Sequence, residues 1–251
     1  MAASLLIACG LNESKLPPYI HISEESNMDG GFLITSILGQ RLRTPQVTTV
    51  LVGLQHGYQH YLNAGMRLGY NLALFMNKKF FIIDALKSIQ VKQWKSMWLT
   101  EGDSMSNTLL EFIREKISSP NDDAGTTSVT YIIDNLSILL NFGFTPEGLL
   151  RLCQDLQAMA LEHPGLTIVT KLSTSDVHPV LDNNIAKLAD VHLRIKQLKS
   201  GAFREVDGKL CVVRETTEGC YELMEQQKEI LYKVNERNVK IFSPGEVGVK
   251  V

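Results

Sequence analysis

The stretch "PYIHISEESNMDGGFLITSILGQRL", residues 18–42, carries the strongest indication of the fold. A short apolar run, a glycine-containing turn and a helical pattern follow one another in the order that surrounds a phosphate-binding loop. The template G-x-x-x-x-G-K-[ST] fails in detail when it is laid on residues 25–32. Only Gly30 matches it, because Gly31 stands in place of the lysine and Phe32 in place of the hydroxyl.

The charges around this loop disfavour a bound nucleotide. Glu24, Glu25 and Asp29 surround it, and no lysine occurs between Tyr19 and Gln40. Like charges at close range cost on the order of 1 kcal/mol each when partly desolvated. We therefore expect an acidic pocket that no cation offsets, and a pseudo-ATPase rather than an enzyme. The degenerate nucleotide loop consists of Glu25, Asp29, Gly30, Gly31 and Phe32.

A remnant of the second nucleotide-site motif is present in "VTYIIDN", an apolar strand pattern that ends in Asp134. In a Walker B segment this aspartate holds magnesium, but an aspartate at a strand end is also a common turn residue. Without a working phosphate loop, we expect Asp134 to be structural. The strand pattern "VTTVLVGL" is followed by Gln55 and His56, and a glutamine cannot act as a general base. No catalytic residue is predicted.

No metal centre is predicted either. The four cysteines are scattered and form no CxxC pair, which favours free thiols in a reducing compartment. His56 and His60 stand at helical spacing, but no carboxylate completes an HExxH arrangement. No stretch of about 18 apolar residues and no signal peptide are recognisable. We expect a cytoplasmic protein, with the nucleus as a second location.

Apolar strand patterns alternate with helical patterns through most of the chain, which predicts an α/β fold with a mostly parallel, twisted sheet flanked by helices. Strands are predicted at 19–23, 47–54, 79–86, 128–140 and 166–172, and helices at 32–42, 58–69, 109–117 and 146–163. Loops are predicted at 92–107 and 118–128. With 251 residues and 44% hydrophobic content, we expect one domain. Its N-terminal extension covers residues 1–17.

From about residue 190 the pattern changes to antiparallel strands. Turns are predicted at Ser200-Gly201 and Asp207-Gly208, the latter as a hairpin, and a further hairpin turn is predicted near residues 236–238. Residues 190–251 are therefore expected to form an antiparallel β tail.

Signals for nucleic acid are local, since the formal net charge is only −2. The candidate RNA-binding residues Lys196, Lys199 and Arg204 surround a glycine-containing turn. Arg194 and Lys196 would share one face of a strand. Two other candidates are the predicted polar loop 171–184 and the segment "VKQWKSMW", in which Trp94 and Trp98 accompany lysines. A solvated edge or a protein interface is the alternative in each case.

The order of four segments resembles the family of sixth subunits of the Elongator complex. These segments are "DGGFLITSILGQRL", "VLVGLQHGYQHYLNAGMRLGYNL", "YIIDNLSILLNFG" and "SGAFREVDGKL". The resemblance implies a RecA-like fold without working Walker motifs and without a cofactor. It also implies a heterohexameric ring with subunits four and five, attached to the larger Elongator subunits. In that family the ring binds tRNA and supports modification of wobble uridines, without being the catalytic centre.

Two other functions are compatible with the same residues. One is a RecA-like recombination paralogue that assembles on DNA, and the other is an ATPase with an unusual phosphate loop. Salt-dependent binding to tRNA and to single-stranded DNA distinguishes the first. Titration with ATP and magnesium distinguishes the second.

Overall fold

A nine-stranded mixed sheet forms the centre of the described structure. The computed structural model describes residues 2–84, 111, 128–174, 179–198, 204–217 and 223–242. The strands are β1 (Tyr19–Glu24), β2 (Val47–Gly53), β3 (Phe80–Asp84), β4 (Ser128–Ile133), β5 (Leu166–Ser173), β6 (Val191–Lys196), β7 (Gly208–Thr217), β8 (Leu223–Val234) and β9 (Val239–Phe242). The helices are α1 (Ala2–Ala8), α2 (Gly31–Arg43), α3 (Tyr58–Arg67), α4 (Ser137–Asn141), α5 (Pro146–Glu162) and α6 (Pro179–Ala186).

The order of the strands in the sheet is β3-β2-β4-β5-β1-β6-β7-β8-β9. All neighbours from β3 to β6 are parallel, and those from β6 to β9 are antiparallel. The predicted mixed α/β sheet is therefore confirmed. The antiparallel part begins one strand later than predicted, because α6 crosses over between β5 and β6 and makes β6 parallel to β1.

Helices cover the sheet on both faces. Leu33 and Ile37 of α2 belong to one buried apolar cluster together with Tyr61 of α3 and with residues of α1. A second cluster contains Leu149 of α5 and Ile185 of α6. Alternate side chains of the central strands enter the two clusters, as expected for strands that are buried on both faces.

The N-terminal segment is packed into the domain. Leu5 and Leu11 are completely buried in the first cluster. The guanidinium of Arg214 on β7 donates to the carbonyl oxygens of Cys9 and Gly10, at 2.8 and 2.7 Å. The described part of the predicted extension, residues 2–17, thus contributes to the core.

Two predicted helix boundaries are confirmed by their local chemistry. The hydroxyl of Thr145 accepts a hydrogen bond from the Gly148 N–H at 3.0 Å, and Pro146 occupies the first turn of α5. Gly69 follows α3 with a φ of +81°, a conformation that favours glycine and stops the helix.

Two predicted elements are wrong. The strand predicted over 128–140 ends at Ile133, and "SILLN" forms α4, whose start is fixed by the Ser137 N–H donating to Asn135 Oδ1 at 2.9 Å. The polar segment 171–184 is not one loop, because residues from Pro179 onward form α6. Proline suits the first turn of a helix, where its missing N–H is not needed.

The hairpin predicted at Asp207-Gly208 is also wrong. Lys196 lies opposite Lys209, and Gly208 already belongs to β7, so β6 and β7 are joined by the longer connection 197–207 and not by a two-residue turn. Asp207 instead binds the end of β8: its carboxylate accepts from the Val234 N–H at 2.8 Å and pairs with Lys233 at 2.7 Å. The hairpin predicted near 236–238 is confirmed between β8 and β9.

Several predicted features lie outside the described residues. They are the loop 92–107, the loop 118–128 except Ser128, the helix 109–117 except Glu111, Trp94 and Trp98 with their neighbouring lysines, Lys199, and the turn at Ser200-Gly201.

Candidate functional site

The candidate site lies where the carboxyl ends of β1, β2, β4 and β5 meet. The helix that follows β1 packs on one face of the sheet, whereas the helix that follows β5 packs on the other. In open α/β sheets such a change of face opens a crevice at the carboxyl ends of the strands, where ligands bind. Here buried polar side chains of the chain itself fill that position.

The centre of the crevice is a buried ion pair. Nζ of Lys171, near the end of β5, lies 3.0 Å from Oε1 of Glu24, the last residue of β1. Both residues are less than 5% exposed. The expectation that no cation offsets the acidic residues is therefore wrong for Glu24. A motif search around the loop misses Lys171 because β5 lies far away in the sequence and adjacent in the sheet.

Polar side chains from the neighbouring strand ends complete this network. The hydroxyl of Ser173 donates to the same Oε1 of Glu24. Lys171 also donates to Gln55 Oε1, at 3.1 Å. The amide of Asn135 donates to Gln55 Oε1 and to Ser173 Oγ, both at 3.1 Å. One hydrogen-bonded network thus joins the ends of strands β1, β2, β4 and β5. We call it the Glu24 network, and its members are Glu24, Gln55, Asn135, Lys171 and Ser173.

The amide groups at the start of α2 are also occupied by carboxylates. The Gly30 N–H donates to Oε2 of Glu24, and the Gly31 N–H donates to Oδ1 of Asp29 at 2.7 Å. These N–H groups belong to the helix N-terminus that would face a phosphate in a working loop. A Cβ at Gly30 would lie 2.7 Å from Ile195 Cδ1 and 3.0 Å from Glu24 Oε2, so a side chain there would displace these two neighbours.

The remaining residues of the degenerate loop have structural contacts. Oε2 of Glu25 accepts from the Gln197 N–H at 2.9 Å, which fixes the loop to the segment after β6. Phe32, which stands in place of the magnesium-binding hydroxyl, packs its ring against Tyr232 of β8 with 4.8 Å between the ring centroids.

Asp134, the remnant of the Walker B motif, is 1% exposed. Its two oxygens accept from the N–H groups of Leu54, Gln55 and His56, at 2.7 to 3.0 Å, and from the Tyr61 hydroxyl at 2.9 Å. An ionised carboxylate offers about four lone-pair positions, so four donors fill it. Burial and the neighbouring Asp134 raise the pKa of Tyr61, which therefore remains a donor.

A second buried polar cluster underlies β1, β5 and β6. The hydroxyl of Ser23 donates to Asp182 Oδ1 at 2.6 Å and lies 2.6 Å from Nε2 of His192. Since the hydroxyl has one proton, Nε2 of His192 is the donor in the second bond. Nδ1 of His21 lies 2.8 Å from the Thr170 hydroxyl. We call these five residues the Ser23 cluster.

The Ser23 cluster contains the residue types of a catalytic triad in the wrong arrangement. In a triad the histidine accepts the serine proton and the aspartate orients the histidine. Here the Ser23 hydroxyl donates its hydrogen bond to the aspartate, and burial together with the nearby His21 lowers the pKa of His192 to about 3. Burial alone would raise the pKa of Asp182, but the adjacent His21 ring and Ser23 hydroxyl outweigh it and lower that pKa. A neutral donor histidine cannot be the base for Ser23.

Of the candidate RNA-binding residues, the structure describes Lys196 and Arg204. Lys196 and Arg194 line a cavity of about 590 Å³ beside α6, which confirms that they share one face of β6. Arg204 is exposed in the β6–β7 connection, where its carbonyl oxygen accepts from Lys233 at 3.0 Å. Another cavity, of about 660 Å³, lies between α2, α3 and the end of β8.

Within the described ranges, no group of three or more histidine, cysteine, aspartate or glutamate side chains is arranged to hold a metal ion. His56 and His60 stack on each other, with ring centroids 3.9 Å apart. None of the described helices is both long and apolar enough to cross a membrane.

Comparison with known proteins defines the class of fold first. A KaiC-like protein from Pyrococcus horikoshii superimposes with a TM-score of 0.55 over 90% of each chain, at 10% identity. A second protein of the same organism, solved with an unknown peptide, gives 0.59 over 89% of this chain and 91% of its own, at 14% identity. The chain therefore has the expected RecA-like fold.

The family follows from the sequence. The family profile described as Elongation complex protein 6 matches residues 6–236. Elongator complex protein 6 of Drosophila melanogaster is 53% identical over 253 aligned residues, which cover 100% of both chains. The chain belongs to the Elongation complex protein 6 family.

Proposed function

We propose that this chain is a non-catalytic subunit of the Elongator complex. In this proposal it forms a RecA-like heterohexameric ring with subunits four and five, and this ring attaches to the larger Elongator subunits. The ring binds tRNA and supports modification of the wobble uridine. The chain acts in the cytoplasm, with the nucleus as a second location.

Family membership supports the assignment to Elongator. The observation that supports a non-catalytic role is the occupation of the phosphate loop by the chain itself. Glu24 and Asp29 accept the N–H groups of Gly30 and Gly31, and the four donors to Asp134 fill the carboxylate that would bind magnesium. A pseudo-ATPase retains the RecA-like shape, and we infer that this shape serves assembly with related subunits.

We place the RNA contacts at Lys196, Lys199 and Arg204. Lys196 supports this placement, because it lines an open cavity beside Arg194 and has no ion-pair partner among the residues that the structure describes. A lysine without a carboxylate partner is available to neutralise a phosphate.

Co-expression with subunits four and five tests the assembly. Native mass determination should give one species that contains two copies of each of the three subunits. A chain that remains a free monomer while subunits four and five are folded in the same preparation would contradict the ring. Electrophoretic mobility of the purified assembly with tRNA then tests binding, with single-stranded DNA of equal length as the comparison.

A further inference from the structure

We propose that the Glu24 carboxylate occupies a latent oxyanion site and acts as a permanent internal substitute for a bound phosphate. The site is built by the ammonium group of Lys171, the N–H of Gly30 and the hydroxyl of Ser173. This inference deepens the proposed loss of nucleotide binding and rests on it.

Three donors of different kinds converge on this one carboxylate. Lys171 approaches Oε1 at 3.0 Å, Ser173 donates to the same oxygen, and Gly30 donates to Oε2. An ammonium group, a hydroxyl and a backbone N–H at a helix start are the groups with which proteins hold phosphate oxygens. Helix α2 is 13 residues long, so its N-terminal partial charge adds to that of Lys171.

The lysine reaches this position from an unusual element. A working phosphate loop supplies its lysine from the loop itself, where this chain has Gly31. Lys171 comes instead from β5, which pairs directly with β1 and places Lys171 opposite Ile22. The cation is thus present in the crevice, and it is neutralised by the residue that ends β1.

The burial of the Glu24–Lys171 pair distinguishes a carboxylate that replaces a bound phosphate from an ordinary ion pair. Lys171 is 2% exposed and its other hydrogen-bond partner, Gln55, is uncharged. If the Glu24 carboxylate is removed, a buried ammonium group remains without an anion, which is strongly unfavourable. An oxyanion that enters from solvent would then restore the lost charge pair. If the ion pair were purely structural, removal of Glu24 would lower the stability of the protein without creating affinity for anions.

The decisive variant is Glu24→Ala in the full chain, with inorganic phosphate and pyrophosphate as probes. Isothermal titration at constant ionic strength should detect no binding to the wild type. The Glu24→Ala variant should bind pyrophosphate with a Kd at least about tenfold lower than the weakest Kd that the titration can detect. Its melting temperature should also rise in phosphate and not in chloride, because a ligand of the native state stabilises it.

Two further variants show whether the binding arises at the proposed place. Adding Lys171→Met to Glu24→Ala should abolish the gain. Glu25→Ala removes a neighbouring carboxylate that does not contact Lys171, and it should gain no affinity. If Glu24→Ala does not fold in chloride, the inference predicts that phosphate restores folded protein in a Lys171-dependent manner. Failure to fold in every buffer would contradict the inference.

The outcomes separate this inference from the proposed function. Binding of ATP by the wild type would contradict the pseudo-ATPase proposal and this inference together. If the wild type binds no nucleotide and a folded Glu24→Ala variant gains no phosphate binding, the inference that Glu24 replaces a bound phosphate is overturned. The pseudo-ATPase proposal is then unaffected.

Discussion

The ammonium group of Lys171 lies 3.0 Å from a carboxylate oxygen of Glu24, although 147 positions separate the two residues in the chain. The pair joins the ends of two neighbouring parallel strands inside the crevice that other proteins of this architecture use for ligands. Its burial has a direct consequence for stability.

The substitution Lys171→Met should lower the free energy of unfolding by about 3–5 kcal/mol, because it leaves the Glu24 carboxylate buried without its cation. The double variant Lys171→Met, Glu24→Gln should recover a large part of this loss, since neither charge remains. Urea denaturation of the two single variants and the double variant gives the coupling energy. Additive effects of the two substitutions would show that the ion pair is not the source of the stability.

The substitution Asp134→Asn should lower the free energy of unfolding by roughly 3 kcal/mol. An amide has one oxygen, so its NH2 group must face some of the N–H donors that Asp134 now accepts. Thermal or urea denaturation measures the loss, and magnesium should not change it. Asp155→Asn on the exposed side of α5 is the matched control and should be nearly neutral. Equal stability of both variants would contradict the structural role of Asp134.

The buried His192 predicts a pH dependence of stability. Its pKa is about 3 in the folded protein and near 6.5 in the unfolded chain, so the unfolded chain binds the extra proton below pH 6.5. The folded protein should therefore lose stability as the pH falls from 6.5 toward 3, by up to about 1.4 kcal/mol per pH unit from this group.

The variant His192→Gln, which can still donate to Ser23, should flatten the profile in this window. Urea denaturation at several pH values between 7.5 and 4.5 measures it. Asp182, whose pKa is lowered, adds a further loss that begins only near pH 5, so the slope between pH 6.5 and 5 reports His192. Identical slopes for the variant and the wild type would exclude His192 as the titrating group.

Reversal of Lys196, Lys199 and Arg204 to glutamate should weaken tRNA binding by the assembled ring and reduce its salt dependence. Each lost phosphate contact lowers the slope of log affinity against log salt by about one. Filter binding at several salt concentrations gives that slope. Reversal of the exposed lysines Lys15, Lys78 and Lys187 is the control for net charge. Equal effects of both triple variants would remove the proposed RNA contacts.

The sequence predicts the parallel part of the sheet well because its strands are continuous apolar runs, and its helices have capping residues such as Thr145 and Pro146. It predicts less well where a polar side chain has a distant partner. Asp207-Gly208 has the residues of a hairpin turn, but Asp207 is bound by Lys233 and the Val234 N–H of another strand. Local turn preferences are outweighed there by the charged contact.

The candidate site shows the same limit. The missing lysine of the phosphate loop is visible in the sequence, and so is the acidic character of the loop. The Lys171 side chain that neutralises Glu24, and the donors that fill Asp134, come from strands whose neighbours are set by the topology of the sheet. One signal in the sequence indicates the place where this network forms. Glu24, Gln55, Asn135 and Ser173 all stand at or just after the end of a parallel strand, where side chains converge.

Calorimetric titration of the wild-type chain with ATP and magnesium tests the central claim most directly. Glu24 and Asp29 already accept the N–H groups that would bind a phosphate, and four donors already fill the Asp134 carboxylate that would bind the metal. We therefore predict no binding heat at ATP concentrations up to about 1 mM, which corresponds to a binding free energy weaker than roughly −4 kcal/mol. Saturable binding in the micromolar range, lost in the Lys171→Met variant, would contradict the account.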